Sequence, residues 1–153
     1  VEGVHMFRNL RRVKKYRRPG SNLIAAKNIK PHEWKISHAE VKEALRHKGC
    51  EVKKVKKIRY LKHQVCISFW DVKGNVCSSF FSYRIFTRWE TTVVKLINCC
   101  DDIREWRRLN RIMRYEFAYY EYLEEMEKVL QTALENRLYA LKATSEVAVF
   151  YES

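Results

Sequence analysis

The stretch Gln64–Phe86, QVCISFWDVKGNVCSSFFSYRIF, decides the fold. Val65, Ile67 and Phe69 alternate with Cys66, Ser68 and Trp70, the period of two that marks a strand with two different faces. Val72-Lys73-Gly74-Asn75 supplies a turn, and a second strand resumes at Val76. These features predict a β-hairpin, 64–72 with 76–86. Aromatic residues fall on both faces (Phe69, Trp70, Phe80, Phe81, Tyr83, Phe86), as expected of a sheet covered by helices. The competing role for them is stacking on nucleic-acid bases.

Working outward, the chain before the hairpin opens with helix signals. In SHAEVKEALRHKG, Ser37 and Glu40 form a capping box, Val41, Ala44 and Leu45 make one apolar stripe, and Gly49 falls just past the end. A helix over 38–48 is predicted. Between it and the hairpin, Val52, Val55, Ile58 and Leu61 recur every three residues, which is neither strict alternation nor a 3.6 period. A strand carrying a bulge accommodates that spacing. Residues 22–30, NLIAAKNIK, are expected to form a short strand before Pro31.

After the hairpin, Thr87 and Glu90 offer a second capping box. Trp89, Val93, Leu96 and Cys100 then share a helical face, so a helix over 88–99 is expected in preference to a strand. Asp101 and Asp102 are placed to cap the next helix. From Ile103 to Ala143 there is no Gly or Pro, and apolar residues recur at helical spacing from Trp106 to Leu141. A continuous helix of that length would reach ~60 Å, so a break or a protruding helix is expected. SEVAVFY at 145–151 reads as a closing short strand.

Together these elements predict an α+β fold: an antiparallel sheet with a central β-hairpin packed by helices, a basic N-terminal arm and a long C-terminal helix. The expected organisation is a basic extension over 1–21, an α+β domain over 22–100, and the long helix with its strand over 101–153. The 153 residues suit one domain with an appended helix, and a hydrophobic fraction of 46% suits a globular chain. No apolar run approaches ~18 residues, so neither a transmembrane helix nor a membrane partner is expected. Five cysteines, an odd number, do not suggest a disulfide scaffold.

Net charge is +13 and unevenly placed. Residues 1–63 carry 19 Lys/Arg against 5 Asp/Glu, residues 64–100 carry 4 against 2, and residues 101–153 carry 8 against 11. Such asymmetry points to a polyanion. Three clusters are candidate nucleic-acid contacts. The arm FRNLRRVKKYRRPGS carries Arg8, Arg11, Arg12, Lys14, Lys15, Arg17 and Arg18, with Tyr16 interleaved for stacking. Its competing readings are a nuclear-import address or a solvated tail. The second cluster is Lys53, Lys54, Lys56, Lys57 and Arg59, extended by Lys62 and, on the neighbouring helix, by Lys42, Arg46 and Lys48. Its competing role is protection of a sheet edge. The third is Arg104, Arg107, Arg108, Arg111 and Arg114, which fall within a sector of about 120° on one helix face. That stripe turns acidic at Glu121, Glu124, Glu125 and Glu127.

His47-x2-Cys50 and His63-x2-Cys66 are the one candidate metal set, a weak one, since strand geometry points His63 and Cys66 to opposite faces. No Gly-rich phosphate loop, nucleophile motif or paired-carboxylate cluster is present, so no enzyme, cofactor or small-molecule substrate is expected. The expected role is a non-catalytic RNA-binding structural component of a ribonucleoprotein assembly resembling an organellar ribosome. Its partners would be structured RNA and neighbouring proteins. From Met6 to His32 the chain is rich in Arg and lacks acids, which suits the mitochondrial matrix; nucleus and cytoplasm are the alternatives. Two rival roles are a DNA-binding regulator of a virus or mobile element, and a protein–protein adaptor working through the long helix and its Tyr115, Tyr119, Tyr120 and Tyr122.

Overall fold

A computed structural model describes residues 22–152, with side chains placed up to residue 145. The basic arm therefore lies outside the described residues. The chain is an α+β protein. In order it forms helix α1 (His38–His47), strands β1 (Val52–Tyr60), β2 (Gln64–Asp71) and β3 (Val76–Ser82), then helices α2 (Thr87–Asn98), α3 (Ile103–Tyr119) and α4 (Glu124–Glu152). Single 3-10 turns at Pro31–Glu33 and Tyr83–Ile85 precede α1 and α2.

The strands form one antiparallel sheet in the order β1-β2-β3. The hairpin turn is held by Asp71, whose Oδ1 accepts from the N–H groups of Lys73 and Asn75 at 2.9 and 2.8 Å. Gly74 sits there at φ +85°, a conformation that a Cβ would strain. Val55, Val65, Ile67 and Phe69 face inward and are buried. Val41, Ala44 and Leu45 of α1 and Trp89, Val93 and Ile97 of α2 join them in one core. That core continues through Leu109 and Met113 of α3 into Met126, Leu130 and Leu134 of α4. Three hydrogen bonds fasten α4: Trp106 Nε1 donates to the Leu134 carbonyl at 2.9 Å, and Arg137 donates to the Cys100 carbonyl through both Nε and Nη2.

The odd spacing in β1 has a plain cause. Val52, Val55, Ile58 and Tyr60 pair with Asp71, Phe69, Ile67 and Val65, so steps of three, three and two on β1 match steps of two on β2. The difference is taken up by irregularities at Lys53 and Lys56, each an extra residue in the bulged strand. Leu61 leaves the pattern for the loop, where its carbonyl accepts the Tyr83 hydroxyl at 2.6 Å.

The Ser37–Glu40 capping box forms as its spacing predicts, and Asp102 caps α3 by accepting from the Glu105 N–H at 2.8 Å. Four expectations are corrected. Residues 22–30 are a turn, not a strand: Asn22 Oδ1 accepts from the Ala25 N–H at 2.7 Å and Lys27 takes φ +61°. Thr87 caps nothing, because α2 starts straight from the 3-10 turn and Phe86 occupies the cap without a side-chain bond. The second hairpin strand ends at Ser82, not at 86, because Tyr83–Ile85 turn into a 3-10 helix; the helical run, by contrast, breaks as expected, at 120–123, where Tyr122 is drawn into the core although no Gly or Pro stands there. Residues 145–151 continue α4 instead of forming a strand. Adding residues to an existing helix costs little, and it overrides the β-branched preference of that stretch.

Candidate nucleic-acid interface

The two bulges decide where the β1 cations point. Lys54, Lys57 and Arg59 pair with Trp70, Ser68 and Cys66, which in turn pair with Val76, Ser78 and Phe80 of β3. Directly paired residues share a face. The solvent face of the sheet is thus three rows: Lys54-Trp70-Val76, Lys57-Ser68-Ser78 and Arg59-Cys66-Phe80. These rows hold three cations and no carboxylate, and the bulged Lys56 adds a fourth cation over Trp70. Trp70 is 38% exposed and Phe80 52%. The Ser68 and Ser78 hydroxyls meet at 3.0 Å, and the Lys56 ammonium lies 5.8 Å from the Trp70 ring centre.

Trp70 and Phe80 are the functional candidates that the sequence clusters omit. The signal that finds them is polarity. Cys66, Ser68 and Ser78 share their face, while Val65, Ile67, Phe69 and Phe81 share the covered one. Of the six hairpin aromatics, Phe69, Tyr83 and Phe86 are buried core and Phe81 is half-buried against it.

On α3, Leu109, Met113, Glu116 and Phe117 are buried, and Arg104, Arg107, Arg108, Arg111 and Arg114 are all exposed. Lys53, Lys54, Lys56, Lys57 and Arg59 are exposed as well. Among the described residues none of these cations has a carboxylate within 4.0 Å.

Cations that serve the fold behave differently. Arg84 forks onto buried Glu116 at 2.5 and 2.6 Å. Burial opposes the Arg84 charge, but the Glu116 carboxylate more than reverses this and raises its pKa. Lys48 meets Glu121 at 3.4 Å, which draws it away from the β1 patch. Lys42 and Arg46 remain exposed on α1.

Arg88 Nη2 meets Glu40 Oε1 at 2.6 Å. That hydrogen bond is the largest influence on the Glu40 carboxyl and holds it below its ordinary value, against a smaller opposing effect of burial. A depressed carboxyl contributes stability above the unfolded-state pKa, and the contribution is lost as pH falls through the folded-state one. Wild type is therefore expected to exceed Glu40→Gln in urea midpoint at pH 7. The gap, at most about 1 kcal/mol for a pair this exposed, should close as pH drops below 4.5. A gap that persists at pH 2 would show the pair to be irrelevant to stability.

The metal candidates are not gathered into a site. His47 ends α1, Cys50 follows it, His63 stands in the β1–β2 loop and Cys66 lies on the sheet's solvent face. Among the described residues no three His, Cys, Asp or Glu side chains converge to hold an ion. Burial, then Lys62 and Arg84, hold His63 below the ordinary imidazole pKa. No described helix is long and apolar enough to cross a membrane.

Comparison with models of known protein families, with curated proteins and with solved structures finds no match for this chain. The functional reading therefore rests on these surfaces.

A cleft of about 470 Å³ opens at the Phe80 end of the sheet face, lined among others by Asn22, His63, Gln64, Phe80, Ser82 and Tyr120. Asn22 is the residue to which the basic arm is joined.

Proposed function

We propose that this protein is a non-catalytic, architectural RNA-binding component of a ribonucleoprotein assembly, anchored by neutralising phosphates at several sites. The observation that carries this reading is the division of labour among the cations. Those the fold uses are paired, whereas the β1 and α3 cations are exposed and, among the described residues, have no carboxylate within 4.0 Å. Five like charges within the seven residues Lys53–Arg59 repel one another, which works against the isolated fold. A polyanion laid against them relieves that repulsion and releases its own counterions. The arm, with seven more cations in Arg8–Arg18, adds a third contact. Phosphate contacts fix position and carry little sequence information, which suits a component that braces folded RNA. A large assembly resembling an organellar ribosome, in the mitochondrial matrix, suits the Arg-rich, acid-free stretch from Met6 to His32.

The test is a titration of the full chain against a fluorescein-labelled RNA hairpin, followed by anisotropy between 50 and 200 mM KCl, with duplex DNA as competitor. With five or more phosphates engaged, log K should fall against log salt with a slope of about −4 or steeper. Folded RNA should compete better than DNA of equal length. Weak binding with a slope near zero would overturn the proposal, and preference for the DNA duplex would favour a DNA-binding regulator.

A further inference from the structure

We infer that the solvent face of the sheet is a stacking platform for unpaired nucleotides, with Trp70 and Phe80 receiving bases and Lys54, Lys57 and Arg59 tracking the phosphates. This rests on the RNA-binding reading and assigns one of its surfaces a distinct ligand, a single-stranded segment.

The geometry separates the two roles by strand. The cations lie on β1, one per row, and successive rows are ~6.6 Å apart by the strand rise. The aromatic rings lie on β2 and β3, in the first and third rows. They are ~13 Å apart along the strand direction, so different bases must occupy them. Between them the paired Ser68 and Ser78 hydroxyls offer donors and acceptors to a ribose or a base edge. An extended backbone can follow β1 while its bases lean across β2 and β3. A duplex keeps its base faces stacked internally and offers nothing to these rings. At the Phe80 end the path runs into the cleft beside Asn22, where the cationic arm joins the domain.

Charge complementarity selects this occupant over an apolar protein surface, and the pairing of cations with exposed rings suits phosphates and bases together. The face mixes half-exposed rings with cations and hydroxyls and carries no carboxylate. An apolar protein surface would leave the three cations without partners.

The experiment compares a 12-mer of uridine with the RNA hairpin on wild type, Trp70→Ala, Phe80→Ala and Trp70→Phe. Both aromatic rings stand on the solvent face outside the core, so the variants should keep the wild-type melting temperature within a few degrees. Each Ala variant is expected to weaken uridine binding by roughly 5- to 150-fold, the range measured for losing one stacked base. Hairpin binding should change less than twofold. Trp70→Phe should keep most of the affinity and abolish the tryptophan quenching expected on binding, because the other three tryptophans are buried or half-buried.

Unchanged uridine affinity in both Ala variants, with hairpin binding intact, overturns the platform and leaves the phosphate-anchoring reading standing. Failure of wild type to bind either RNA overturns both. If Trp70→Ala dissolves a dimer seen by sedimentation while uridine binding persists, the face is a contact between copies and the platform is again overturned.

Discussion

Replacing Glu116 with Gln is expected to destabilise the protein by about 3–5 kcal/mol, a drop of roughly 6–20 °C in Tm for a chain of this size. Glu116 is fully buried and Arg84 is 3% exposed. Every lone pair of the carboxylate is committed. Oε1 accepts from Arg84 Nε and the Tyr122 hydroxyl, and Oε2 accepts from Arg84 Nη2 and the Leu23 N–H. Burial, then the Glu116 charge, hold the Tyr122 pKa well above its usual value, so the phenol stays protonated and donates. Trp89 Nε1 donates to the Tyr122 oxygen at 3.0 Å, and the Arg84 guanidinium lies 3.7 Å from the Tyr120 ring centre. An amide at 116 turns one acceptor into a donor aimed at donors and strands the Arg84 charge in the core. Arg84→Met with Glu116→Leu should cost less than Glu116→Gln alone, because no buried charge remains. Thermal and urea melts of the three proteins decide it. A Glu116→Gln melt within about 1 kcal/mol of wild type would mean that the pair is solvated in solution.

The second large effect concerns binding. Neutralising the α3 stripe (Arg104, Arg107, Arg108, Arg111 and Arg114, each to Gln) is expected to leave the melting temperature unchanged or slightly higher. These side chains are exposed and, among the described residues, have no carboxylate partner to lose. RNA affinity should collapse. If each arginine neutralises one phosphate, the salt slope should lose about 3.5–4.5 and affinity at 0.1 M salt should fall on the order of 10³–10⁴-fold. Anisotropy titrations of the hairpin at several salt concentrations read both quantities. A loss under tenfold with the slope unchanged would remove the stripe from the interface. The contacts would then rest on β1 and the arm.

Much of the fold can be read from local pattern. The alternation in 64–71, the Ser37–Glu40 box, Asp102 and the long run without Gly or Pro each point to the element that forms. Non-local contacts decide the remainder. Nothing near Tyr120 ends a helix; Trp89 of α2, and Glu116 held in place by Arg84, bind Tyr122 and bend the chain into the core. The closing residues lose their strand preference because a helix already runs into them.

The candidate site divides the same way. Composition marks the β1 and α3 cations as a surplus. Which of the β1 cations share a face depends on two irregularities that appear only when β1 is laid against β2. Trp70 and Phe80 differ in sequence from Phe69 and Phe81 only through the polar Cys66, Ser68 and Ser78 that share their face, and the side on which α1 and α2 pack fixes that face as the exposed one.

Those two irregularities also set how freely β1 can vary. Lys53 and Lys56 occupy the supernumerary positions, so deleting either one restores ordinary pairing and keeps Val52, Val55 and Ile58 turned toward the helices. Deleting the paired neighbour Lys54 or Lys57 gives the same two chains, whereas deleting Ile58 moves Arg59 into an inward position. The edge can therefore gain or shed a positive charge by single-codon insertion or loss with the interior untouched, which makes its electrostatic strength an adjustable quantity within a fixed architecture.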